Sequence, residues 1–116
     1  MKNYLAVFLG KPEAMDKWRA MPEAERKQRE QAGIEAWHKW VAEHKDAIVD
    51  MGSPLGKSVT VNKAGAATPT TNNLGGYSVL QGESKEALAK SLEGHPHFMM
   101  PDGFLEVVEI MPIPGM

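Results

Sequence analysis

Tyr4-Leu5-Ala6-Val7-Phe8-Leu9 is an uninterrupted apolar run closed by Gly10 and Pro12. A short run of this kind, ended by two backbone breakers, reads as a buried strand. Its two alternating phases, Tyr4/Ala6/Phe8 and Leu5/Val7/Leu9, are both apolar. A strand with one wet side would instead alternate apolar with polar residues. Phe104–Met111 repeats the property near the other end of the chain, where Phe104, Val108 and Ile110 alternate with Leu105, Val107 and Met111. A sheet built on these two strands needs cover on both faces.

Working outward, Lys11–Met21 reads as a connector with some helical character around Met15–Trp18. Pro22 then opens the clearest helix, with Glu23 and Glu25 suited to the positive end of the helix dipole. From Glu23 to His44 the residues are mostly good helix formers, and Gly33, Ile34, Trp37, Trp40, Val41 and His44 share one stripe. Ala47–Met51 is a second strand ending at the turn Gly52-Ser53-Pro54-Leu55-Gly56, and Ser58–Val61 continues it or forms a short strand of its own. Residues 62–73 are small, polar and unperiodic, which predicts a mobile loop. Tyr77–Gln81 is a third strand. Ser84 caps a short helix over Lys85–Leu92 that stops at Gly94. His95–Pro101 is a bounded connector, and residues 112–116 form an extended tail.

The resulting order is βαββαβ in one α+β domain spanning residues 1–116. It predicts a ferredoxin-like antiparallel sheet with two helices on one face. The helix-free face carries large apolar groups in either phase, and a second copy of the chain is its simplest cover. A homodimer is therefore expected, with self-cover by the tail and the 62–73 loop as the alternative.

Composition narrows the partners. The chain has 116 residues, 13 basic and 15 acidic groups and a net charge of −2, so there is no electrostatic reason to expect nucleic acid or an anionic membrane. Basic residues crowd into Lys17–Arg29, but interleaved glutamates make that stretch a solvated helix face. Cysteine is absent, which excludes disulfides, thiolate chemistry and sulfur-bound zinc. No window approaches a membrane span, and Tyr4–Leu9 is too short for a signal-peptide core; a cytoplasmic protein is expected.

Leu92-Glu93-Gly94-His95-Pro96-His97 followed by Pro101-Asp102-Gly103-Phe104-Leu105-Glu106-Val107 resembles the C-terminal pattern of the YCII-related family. Gly75-Gly76-Tyr77 and the stretch Ile48–Gly56 match two further landmarks, so the resemblance runs nearly the length of the chain. It implies a dimeric α/β barrel in which two sheets face each other. A His–Asp pair is proposed as active in some members. The corresponding positions here fall near Ala32 and His44, so the resemblance carries no such pair over.

Candidate chemistry therefore comes from the residues. His95 and His97 flank Pro96, and in an extended segment both would project to one side, where they could shuttle protons or bind a metal. Asp50 stands immediately before the Gly-Ser-Pro turn and joins them as a catalytic candidate. Trp37, His38, Ser53, Tyr77 and Glu106 are candidate ligand contacts, with His38 at the edge of the apolar stripe and Glu106 a carboxylate inside an apolar strand. His44, within the stripe, reads as a core histidine. Gly52–Gly56 is not a phosphate loop, because it lacks the Gly-Lys-Ser/Thr spacing before a helix. No cofactor or metal is specified by any motif. The favoured function is a homodimeric small-molecule binding or sensing protein. A small acid/base or metal-assisted enzyme using His95, His97 and Asp50 is the alternative, and a protein-interaction module a third reading.

Overall fold

The computed structural model describes residues 1–116. It is an α+β structure built on an antiparallel sheet, with three helices. β1 (Lys2–Leu9) leads into α1 (Pro12–Ala20) and α2 (Glu23–Glu43). β2 (Ile48–Pro54), β3 (Ser58–Val61), β4 (Ala67–Thr70) and β5 (Leu74–Gly82) follow, then α3 (Lys85–Ser91) and β6 (Phe104–Glu109). The main sheet has the order β2-β5-β1-β6, and every neighbouring pair is antiparallel.

β1 lies at the centre because both its phases are apolar. Its register pairs Tyr4 with Leu80, Ala6 with Ser78 and Phe8 with Gly76 on one side. On the other it pairs Ala6 with Val107 and Phe8 with Leu105. These residues make the inner face, which meets Trp40 of α2 and Leu88 of α3 in a core that also holds Leu92. Ser84 anchors α3 as expected: its hydroxyl accepts the Ala87 N–H at 3.1 Å. The stripe on α2 is occupied as its spacing predicts, with Trp40 buried and Trp37 and Val41 packed beside it; Ile34 stays half exposed at 50%.

Three local expectations change. Lys11–Met21 is not a loose connector but a nine-residue helix begun by Pro12. Residues 62–73 are not all loop: Ala67–Thr70 pairs with Ser58–Val61 as a separate two-stranded arm. Asn62 makes the turn, its carboxamide oxygen accepting the N–H groups of Ala64 and Ala66 at 3.0 Å each. Finally, His95-Pro96-His97 is not extended. Pro96–Met99 is a turn of 3-10 helix capped by His95.

The outer face has no helix. Leu5, Val7, Leu9 and Val79 are half-buried there, and Phe104, Val108 and Ile110 are exposed at 43, 47 and 46%. The molecule measures 50 × 45 × 19 Å and exposes 8355 Å². A monomeric protein of 12.7 kDa typically exposes about 6,200 Å². The radius of gyration, 16.1 Å, likewise exceeds the roughly 13.4 Å usual for this length. No helix is long and apolar enough to cross a membrane.

Candidate functional site

A cleft of about 420 Å³ opens between α2, the ends of β2 and β5, and the His95–His97 turn. From α2 come Glu30, Gly33, Ile34 and Trp37, one face of the helix at three- and four-residue spacing. The sheet supplies Phe8, the Gly52-Ser53-Pro54 segment and Gly75-Gly76-Tyr77. Gly52 is obligatory: its φ is +76°, and a Cβ there would lie 1.7 Å from the Tyr77 carbonyl oxygen. That close approach lets β2 bend across β5 and form one wall. Tyr77 pairs with Val7 and Ser53, in the outer phase of β5, so its backbone rather than its ring forms part of the cleft.

His95 sits beneath the cleft, only 2% exposed. It is packed among Phe8, Trp37 and Trp40, with ring centroids 4.8, 5.4 and 4.6 Å away. Its Nδ1 accepts the His97 backbone N–H at 3.0 Å. The proton of the neutral ring must then sit on Nε2, which is buried and has no hydrogen-bond partner. Trp37 and Trp40 lie edge-on to the imidazole, an arrangement in which ring N–H groups can point at π faces. Burial first, and then the neighbouring His97 and His44, push the His95 pKa down from 6.5 to about 4. His95 is uncharged at neutral pH and structural in its bonding.

His97 is the more accessible group. Its ring stacks on Phe8 at 5.5 Å, and its Nε2–H donates to the Leu9 carbonyl at 2.6 Å. That bond fixes the tautomer, so a neutral His97 presents the Nδ1 lone pair, next to Gly75, to the cleft. The carbonyl is available because β1 loses its regular pairing with β5 between Phe8 and Leu9.

The structure gathers Trp37, Ser53, Tyr77, His95 and His97 around one cleft. Asp50, His38 and Glu106 lie outside it. The Asp50 carboxylate accepts the Gly52 N–H at 2.8 Å and serves the turn. His38 is exposed on α2, and Glu106 is exposed on the outer face opposite Val7. Asp50 and Glu106 therefore do not converge with the histidines, and no group of three or more His, Asp or Glu side chains is arranged to hold a metal ion. His44 closes α2, its Nδ1 2.8 Å from the Trp40 carbonyl and its ring stacked on Trp40. Glu30, Gly33, Ile34 and Pro54 are cleft residues absent from the sequence-based candidates. The first three could have been found by extending the Trp37 face back by two helical turns.

No protein-family model and no curated protein matches this chain.

Proposed function

We propose that the chain is one half of a homodimer that binds a flat, mainly apolar small molecule through one hydrogen bond to His97. The observation that carries this reading is the fixed tautomer of His97: a backed lone pair facing a cleft walled by Phe8, Ile34, Trp37 and glycine backbone. Ligand sites combine this much apolar wall with few polar groups, and 420 Å³ lies in their usual range. His95 positions His97 by accepting its N–H, and Trp37 supplies a broad apolar surface. The order β2-β5-β1-β6 with α2 and α3 on one face supports a ferredoxin-like topology. The oily outer face and the surplus surface support pairing of two sheets into an α/β barrel of the kind the YCII-related resemblance implies.

Titrating the protein with 2-naphthol and with naphthalene, followed by tryptophan fluorescence, tests the site. The hydroxyl should improve affinity by about 5- to 10-fold, the usual worth of one such bond. His97→Phe should abolish that difference while naphthalene still binds. Equal affinity for the two probes in the wild-type protein would remove His97 from the reading.

One observation favours an enzyme as the second reading. An imidazole with one nitrogen bonded to a carbonyl and the other facing a cleft is the arrangement of an oriented general base. His97 would take the proton and His95 would hold it in place, with Asp50 acting only on the turn.

A further inference from the structure

A second chamber of about 350 Å³ lies on the other side of the same contact, lined by Trp18, Arg29, Met99 and Met100. Four residues line both chambers: Glu30 and Gly33 of α2, and Pro96 and His97 of the turn. Gly33 sits in the middle of a 21-residue helix, where glycine is a poor choice. Close packing does not explain it. Gly33 is half-buried, yet a Cβ built there meets no atom within 4 Å. A side chain at Gly33 would thus enter open space, at a residue that lines both chambers.

We infer that the two chambers form one groove with a waist at Gly33, and that its ligand carries a hydrogen-bond donor between two apolar arms. This rests on the His97 cleft described above and adds the length and shape of the ligand. One arm lies against Trp37 and the other against Trp18, Met99 and Met100. Flexible methionines suit an arm of variable shape. His97 and Glu30 line both chambers and supply two acceptors, His97 Nδ1 and the Glu30 carboxylate, and Glu30 makes no ion pair within the chain. A secondary alcohol, phenol or amide N–H flanked by hydrophobic groups fits. Gly33 is the residue that sets this specificity.

The protein has three tryptophans, so 5-fluorotryptophan labelling gives three fluorine resonances that report each chamber separately. Benzyl alcohol carries one arm and diphenylmethanol two, on the same hydroxyl. Benzyl alcohol should shift Trp37 alone. Diphenylmethanol should shift Trp37 and Trp18 with a single binding constant, at least about tenfold tighter because a second ring is buried. Gly33→Leu should silence the Trp18 response and bring diphenylmethanol to within about threefold of benzyl alcohol measured on the same variant. Gly33→Ala should raise the melting temperature by roughly 4 °C, which shows that the glycine is not there for stability. If Gly33→Leu leaves the Trp18 shift and the tenfold gain intact, or if the two resonances titrate with different constants, the groove is overturned and the His97 cleft survives. If neither probe moves Trp37 in the wild-type protein, the cleft itself falls, and the groove with it.

Discussion

At the scale of single residues, the buried imidazole of His95 makes stability depend on pH. In the unfolded chain the ring takes a proton near its ordinary pKa of 6.5; in the fold it does so only at about 4. Below pH 6.5 the unfolded state therefore binds the extra proton, and stability falls as pH drops from 6.5 to 4. It is fully present above that window. The loss amounts to roughly 3 kcal/mol over the window. Urea denaturation at several pH values should show His95→Asn losing about that much less than the wild-type protein between pH 7 and 4, because Asn does not titrate and can still accept the His97 N–H. Parallel pH dependence in the two proteins would place the imidazole in water. Gly52 is the other sensitive position. A methyl group there meets the Tyr77 carbonyl in a left-handed backbone, so Gly52→Ala should cost about 3 kcal/mol or more in the same assay.

Elements differ in how openly the sequence announces them. α2 and α3 are legible because helical spacing, the Pro22 start and the Ser84 cap agree. Replacing the cap, Ser84→Ala, should lower unfolding free energy by about 1 kcal/mol, measurable by urea midpoint. β1 and β6 are legible from apolar runs in both phases. β3 is legible as a short strand at Ser58–Val61, but β4 is not, because Ala67-Thr68-Pro69-Thr70 has a weak apolar pattern and a proline, and every residue of that strand is exposed. Such an arm is held by pairing rather than by burial, and pairing leaves little trace in hydrophobicity. The His-Pro-His turn is hidden for another reason. Its shape follows from His95 Nδ1 capping the next turn and from the Leu9 carbonyl 88 residues away, and no local pattern encodes that partner. The candidate site is accordingly half legible. The aromatic ridge and both histidines are found from sequence, and Gly33 and Glu30 continue that ridge, but that this end of it meets the His-Pro-His turn is seen only once α2 and the turn are side by side.

For the whole molecule, shape and surface argue in the same direction. A slab 19 Å thick has room for one sheet and one helical layer, and it leaves about 2,100 Å² more surface exposed than is usual for this mass. A standard interface hides about 800 Å² per partner, and the helix-free face carrying Phe104, Val108 and Ile110 is the surface on which a second copy would seat. Sedimentation should give the mass of two chains, and Val7→Lys, which puts a charge at the centre of the outer face, should return the 12.7 kDa protomer with its helical circular dichroism intact. A wild-type protein that sediments as one chain at micromolar concentration would end the barrel proposal.

The irregularity between Phe8 and Leu9 has a consequence for heredity as well as for chemistry. Because the carbonyl released there chooses which nitrogen of His97 keeps its hydrogen, the polarity of the cavity is written into how many residues precede it in the first strand. A deletion of one codon between Lys2 and Val7 would keep every cavity residue in the chain by name. It would nonetheless turn the oxygen away and set the imidazole free to present a donor where an acceptor stood.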